Sequence, residues 1–293
     1  MLENFYRKNS FWIALLFHIL GNSSANAQDT GEKIQSRSSI SAPAKPLREL
    51  STDRPDKTES PYTVDIAHFQ IEMDLVSFSY DKHNSDRNEV REESFSFANI
   101  NLKIGLASNA DFQLVIPAYN RLRTRDRATG SIQKNSGMGD LTARLKINFW
   151  GDDVGQTAFG VMPFVKFPTR PDSSGNNAVE GGIIFPLSVK LPGGWGLGAM
   201  TEFDFNKDAS SHDYHPEFIN SITLSHSLFS QLDGYAEFFS SVSAEKNSEW
   251  IGTADFGLVY QVNKNLQLDA GLNVGITRAA DDLNPFLGVS FRF

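Results

Sequence analysis

Apolar and polar residues alternate with a period of two along most of the chain from residue 68 onward. Leu141, Ala143, Leu145, Ile147 and Phe149 share one phase, and Asp140, Thr142, Arg144, Lys146 and Asn148 the other. Trp195, Leu197, Ala199, Thr201, Phe203 and Phe205 oppose Gly196, Gly198, Met200, Glu202 and Asp204. Leu287, Val289, Phe291 and Phe293 oppose Gly288, Ser290 and Arg292. Side chains of a β-strand point to opposite faces in turn, so each stretch predicts a strand with one apolar and one polar face. About twelve such segments are read: 68–80, 94–106, 111–123, 138–150, 156–168, 179–191, 195–206, 217–229, 233–244, 250–262, 265–277 and 284–293. Most suffice to cross a bilayer, which takes roughly 9–11 residues per tilted strand. A soluble β-sandwich more often uses strands of about 5–6 residues.

The connections alternate in length. Ala107–Ala110, Gly151–Gly155, Pro192–Gly194, Ser230–Leu232 and Asn263–Lys264 are short. Asp81–Glu93, Thr124–Gly137, Thr169–Ala178 and Asn206–Pro216 are long and polar, with Glu245–Glu249 and Arg278–Leu283 somewhat shorter. Outer-membrane barrels have short periplasmic turns and longer external loops, and an even strand count returns both ends to the periplasm. Closure follows from the solvent. Hydrocarbon offers no hydrogen bonds, so an open edge would leave unpaired amides at several kcal/mol each. The expected fold is an all-β transmembrane antiparallel barrel of about twelve strands. A soluble sandwich would explain the alternation but not the alternating loop lengths.

The N-terminus sets the compartment. Arg7 and Lys8 precede an apolar run from Phe11 to Leu20, and Ala25-Asn26-Ala27 forms an A-x-A cleavage site. Residues 1–27 read as a signal peptide, since the apolar run is half the roughly 20 residues of a spanning helix. Residues 28–60 are polar and rich in Ser and Pro, and read as a periplasmic leader; residues 61–293 read as the barrel. Phe293, in phase with Phe291 and Val289, resembles the terminal aromatic signal read by the barrel-insertion machinery. The expected location is the outer membrane of a Gram-negative bacterium.

Composition narrows the function. The 293 residues are 40% hydrophobic and 12% aromatic, too aromatic for a largely disordered chain. A net charge of -8 disfavours a binder that tracks nucleic-acid phosphates. With no cysteine there is no disulfide framework, thiolate metal site or cysteine nucleophile. No cofactor or metal is expected.

With the polar phase turned inward, charge separates around the sheet. Lys103, Arg121, Arg123, Arg144, Lys146 and Lys166 fall on early segments. Glu72 and Asp74 fall on the first segment, and Glu180, Glu202, Asp204, Glu237, Asp255 and Asp269 on later ones. Glu72, Asp74, Lys103, Arg121, Arg144, Lys146, Glu202 and Asp255 are the candidate lumen-lining residues. Such walls set a transverse field that orients a solute in a narrow channel. They fit a closed, salt-bridged filling equally well. Phe164, Phe239 and Phe286 share the inward phase and offer an apolar constriction.

Catalytic patterns are thin. A hydrolase acting on lipid needs a serine within reach of a histidine base. His83-Asn84-Ser85 lies in an expected loop, and Ser225-His226-Ser227 puts the histidine on the opposite face from both serines. Asp281-Asp282, His212-Asp213 and His215 are the candidates for an aspartate-based protease, and His212-Asp213-Tyr214-His215 for a metal ion, against the plainer reading of solvated loop.

The block Thr52-Asp53-Arg54-Pro55-Asp56-Lys57-Thr58-Glu59-Ser60-Pro61-Tyr62, followed by Phe69-Gln70-Ile71-Glu72, resembles the opening of an outer-membrane transporter family named for the meta-pathway of phenol degradation. Gly139-Asp140-Leu141 with Arg144 and Lys146 resembles its second landmark; Ala67 stands where the family usually has Gly. The resemblance spans about residues 50–293. It implies an outer-membrane barrel passing small hydrophobic or aromatic compounds. Asp53, Arg54 and Glu59 are expected to fold inward and tether the leader, against the plainer alternative of a solvated linker. The expected function is a monomeric, porin-like channel for a small-molecule solute, embedded in outer-membrane lipid and without nucleic-acid partners. The alternatives are a barrel hydrolase acting on lipid and a structural barrel without flux.

Overall fold

The computed structural model describes residues 46–82, 90–169, 177–208, 211 and 213–293. The expected signal peptide, the expected leader up to residue 45, and His83, Ser85 and His212 lie outside the described residues.

Among the described residues, thirteen strands form one antiparallel sheet: β1 (Phe69–Asp81), β2 (Val90–Ala107), β3 (Ala110–Asp126), β4 (Ile132–Gly137), β5 (Leu141–Trp150), β6 (Thr157–Phe167), β7 (Glu180–Lys190), β8 (Trp195–Lys207), β9 (Tyr214–Phe229), β10 (Leu232–Ser243), β11 (Ile251–Asn263), β12 (Leu266–Gly275) and β13 (Leu283–Arg292). Consecutive strands pair, except that β4 and β5 both pair with β3, and β13 pairs with β1, so the sheet closes on itself. The seam begins with reciprocal backbone hydrogen bonds of 3.0 Å between Phe69 and Phe293. Their rings stack at 5.8 Å.

The barrel has twelve staves, because β4 and β5 lie end to end along β3. β4 pairs with Asn120–Arg125 and β5 with Ala110–Val115. The break falls at Gly139, whose amide donates to the Pro117 carbonyl at 2.8 Å. A side chain there would collide with Pro117 and Asn120. β4 lies where the sequence pattern gives a loop, 124–137. Its Gln133, Lys134, Asn135 and Ser136 are polar on both faces, so the period-two signal is absent although the ladder forms.

The faces follow the alternation. Phe149, Phe203, Phe205, Phe256, Leu258 and Leu287 are exposed on the outer surface, while Lys146, Asn148, Glu202, Asp255 and Ser290 are buried inside. Exposed Trp150, Trp195 and Tyr260 sit near the end where the strands begin and finish; exposed Trp250 and Tyr214 sit near the other. This is the aromatic flanking expected around an apolar band.

The phase slips within β1 and β2. Between the pairs Asp74–Asn99 and Val76–Phe97, the register of β1 against β13 shifts by one, and Ala98 takes φ 56°. Asp74 faces Arg54 inside, yet Val76 lies opposite exposed Leu287. Such a bulge turns every later side chain of the strand to the other face.

Candidate functional site: the charged core of the bore

The segment from Leu47 to Asp65 is packed with the barrel as one unit. Its polar partners lie on staves all around the ring, which only a segment inside the cylinder can reach. Glu72 and Asp74 belong to β1, Lys103 to β2, Asp111 to β3, and Arg144 and Lys146 to β5. Ser188 belongs to β7, Met200 to β8, Ser221 to β9, Glu237 to β10, Thr253 and Asp255 to β11, and Asp269 to β12.

The Asp53-Arg54-Pro55-Asp56-Lys57-Thr58-Glu59 block supplies each wall with the opposite charge. The Asp53 carboxylate pairs with both the Lys103 and the Lys146 ammonium groups, and Lys103 pairs further with Glu72. Lys103 is 2% exposed and Lys146 fully buried, so these charges have no water to fall back on. The Asp53 amide donates to Glu72 Oε2 at 2.9 Å, and Gln70 Nε2 donates to Glu72 Oε1 at 2.8 Å. Glu59 accepts from Arg144 Nη1 at 2.7 Å.

On the acidic side, the Arg54 guanidinium forks onto Asp269, with Nη2 to Oδ1 at 2.7 Å and Nε to Oδ2 at 3.3 Å, and also pairs with Asp74. Two parallel bonds fix its plane as well as its charge. A Cβ at Gly288 would overlap that guanidinium, so the glycine on β13 makes room for it. Lys57 Nζ lies 3.1 Å from Asp255 Oδ2 and 4.5 Å from the Phe239 ring centroid, and donates to Thr253 Oγ1 at 2.8 Å. The Lys57 and Thr58 amides donate to the two Glu237 oxygens at 2.9 and 2.7 Å.

Nearer the chain termini, Asn148 Nδ2 donates to the Pro61 carbonyl at 2.9 Å, and the Val64 amide donates to Asp111 Oδ2 at 3.0 Å. Asp65 pairs with Arg48 at 2.8 Å and with Arg292 at 3.3 Å.

Among the sequence candidates, Glu72, Asp74, Lys103, Arg144, Lys146 and Asp255 meet the segment through its Asp53, Arg54, Lys57 and Glu59. Glu202 is buried on β8, in the ladder rows of Ile184 and Ile219. Arg121 is placed elsewhere. It is exposed and lies opposite Phe95, which lies opposite Phe78; both rings are exposed. That row faces outward, because the slip at Leu75 and Ala98 reverses the phase on which Arg121 was assigned inward. Arg123 beside it joins Glu93 and Arg91 in a half-exposed ion cluster.

Lys57 was not among the candidate tethers, yet it makes one of the four charged anchors. The visible signal is the alternation of sign along Asp53, Arg54, Asp56, Lys57 and Glu59 against two walls of opposite charge. Phe164 and Phe239 do turn inward, against a buried cluster of Met162, Ile184 and Met200, and Phe286 is buried beneath the Arg54 guanidinium. The apolar sector of the bore, on β6 to β10, thus also carries the buried carboxyl groups of Glu202 and Glu237.

Polar cavities flank the segment. One of about 270 Å³ is bounded by Lys57, Thr253, Asn273, Asp281 and Asn284, and adjoins one of about 450 Å³ at the long-loop rim. A third of about 200 Å³ lies toward the short-turn end, between Thr58, Tyr62, Ser188, Thr223 and Ser225. The layer of Lys57 and Thr58 with Glu237 and Asp255 separates them.

No hydrolase geometry forms at His226. Its ring stacks on Trp195 at 4.5 Å and its Nδ1 contacts the Gly194 carbonyl at 3.2 Å. Asp281 and Asp282 accept hydrogen bonds from Ser79 and from the Lys82 amide.

The fold resembles solved outer-membrane barrels. An outer membrane channel from Pseudomonas putida F1 superposes with a TM-score of 0.59 at 14% identity, covering 83% of this chain and all of that one. The translocator domain of the autotransporter NalP from Neisseria meningitidis gives 0.51 at 11% identity, covering 78% of this chain and 89% of that one. At these identities the likeness speaks for the barrel alone. No curated protein matches the chain. The model of one family, described as "Putative MetA-pathway of phenol degradation", matches residues 52–293, from the threonine before Asp53 to the last strand, and the chain belongs to that family.

Proposed function

We propose that the protein is an outer-membrane channel for small solutes with an apolar or aromatic body, its bore narrowed by its own N-terminal segment. The observation that carries this reading is the pairing of Asp53, Arg54, Lys57 and Glu59 with charges on opposite walls. A barrel closed for purely structural reasons needs no removable filling. Here the filling is one covalent strand held by polar contacts, with cavities on both sides. Displacing it exposes a charged arc facing the apolar sector of Met162, Phe164, Ile184, Met200 and Phe239. That combination suits an aromatic solute with one polar or charged group. The ring lies on the apolar sector while the field between the walls orients the polar end.

Residues 28–60 serve in this reading as a periplasmic leader whose distal part is the plug, following a cleaved signal at 1–27. Passage is passive, the outer face contacts lipid, and the barrel works as a monomer delivered by the barrel-insertion machinery.

The test is uptake of phenol, benzoate and a sugar of similar size into proteoliposomes, run beside a lipid-hydrolysis assay on the same preparation. Faster entry of the aromatic solutes supports the channel. Lipid hydrolysis without flux would make the protein a barrel enzyme, and neither activity would make it a structural barrel.

A further inference from the structure

We infer that the long-loop rim carries a site for a borderline divalent cation such as zinc, built from Asp208, His215 and Glu245. One potential ligand atom from each lies within 4.8 Å of the other two. They come from two different connections and from the start of the strand between them. Asp208 follows the end of β8, His215 is the second residue of β9, and Glu245 lies just beyond β10.

The backbone ladders hold them together. The pairs Asn206–His215 and Lys207–Tyr214, with the Asp208 amide donating to the Asp213 carbonyl at 3.0 Å, set the first two side by side. The Ala244 amide donates to the Pro216 carbonyl at 2.9 Å, which brings Glu245 to the His215 end of β9. His215 Nδ1 and Asp208 Oδ1 are 2.7 Å apart.

One imidazole nitrogen and two carboxylate oxygens make a donor set that suits zinc and its neighbours better than calcium or magnesium, which take oxygen alone. Zinc–ligand distances of about 2.0–2.1 Å require tetrahedral donors about 3.3 Å apart. Asp208 and Glu245 are half-buried at the rim, where rotation of their side chains closes the remaining gap as the ion replaces contacts such as that of Ser211 Oγ with Asp208.

A second observation points the same way. His215 and Glu245 also line the rim cavity of about 450 Å³, with Glu92, Glu217, Glu249 and Asp281 around it and, among the described residues, Lys207 as the one cation of its lining. That many carboxylates around one concavity concentrate cations there. The cavity also gives the fourth coordination position to water or a solute oxygen. Once bound, the ion cross-links the β8–β9 and β10–β11 connections at the mouth and lowers its negative charge.

The experiment is calorimetric titration of zinc into chelator-treated full-length mature protein in detergent micelles, with cobalt as the spectroscopic probe. One ion per barrel is expected, with a visible cobalt absorption typical of four-coordination. His215→Ala and Glu245→Gln should each weaken binding by more than about tenfold, and His226→Ala at the opposite end should leave it unchanged. Heat-modifiable gel migration establishes that each variant is a folded barrel. No binding at millimolar zinc, or binding that survives both rim substitutions, would overturn the site.

Discussion

Asp53 and Lys146 stand 93 residues apart in sequence and share a buried ion pair inside the barrel. The same carboxylate pairs with Lys103, so one anion of the N-terminal segment neutralises two cations of the wall. Replacing it leaves both ammonium groups buried without that partner, and breaking a buried pair on one side costs about 3–5 kcal/mol. Asp53→Asn is therefore expected to lower the denaturant midpoint and to loosen the segment. Lys146→Met in the same background should recover part of the loss, because it removes one of the stranded charges. A double-mutant cycle in urea measures both, and strictly additive effects would contradict the pairing.

Reversing the charge of Arg144 and Lys146 tests the wall itself. Arg144 holds Glu59, and Lys146 holds Asp53. Glutamates at both positions repel the segment and turn a basic wall acidic. The expected result is larger conductance and a reversal potential shifted toward cation selectivity. Arg121→Glu is the matched control; it lies in the outward row of Phe78 and Phe95 and should leave the reversal potential unchanged. An unchanged reversal potential in the double variant would remove Arg144 and Lys146 from the solute path.

Gly288→Ala probes the acidic side without changing any charge. Its new methyl group overlaps the Arg54 guanidinium, which must leave its fork on Asp269. Overpacking of this kind costs about 1–3 kcal/mol, and conductance should rise as the anchor is lost. Gly137→Ala, where a methyl group meets open space, should do neither. Equal behaviour of the two variants in thermal unfolding and conductance would contradict the placement of Arg54.

The seam offers a further test. Phe69 and Phe293 exchange backbone hydrogen bonds and stack where the barrel closes. Phe293→Ala keeps the backbone bonds and removes the ring contact, worth about 0.5–1.5 kcal/mol beyond its buried area. A lower yield of heat-modifiable, folded barrel is expected on refolding into micelles. An undiminished yield would deny the closing ring pair its part in assembly.

Much of the barrel was legible because each stave carries the same physical demand, hydrocarbon on one side and a polar interior on the other. Leu141–Phe149 and Trp195–Phe205 show that demand in nearly every residue. β4 escaped it, since a hairpin arm polar on both faces carries no hydrophobic period. Arg121 was misplaced because one phase was carried through β3 although the neighbouring strands change theirs: polar Gln70, Glu72 and Asp74 give way to Ser77 and Ser79 across Leu75, and Ser94 and Ser96 to Asn99 and Asn101 across Ala98. The charges of the bore were legible as two walls, but their partners were not. Nothing in the spacing of Arg54 and Asp269 reveals that residues so distant in sequence meet. The clue was the alternating sign within Asp53–Glu59, which becomes readable only once the walls it must match are known.

The most direct measurement is single-channel conductance in planar bilayers of the mature protein beside a variant lacking residues 47–65. The account predicts small or rare openings for the intact chain, and stable openings several-fold larger for the deletion variant, folded by the gel-migration criterion. Equal conductance of the two proteins would show that this segment does not fill the bore.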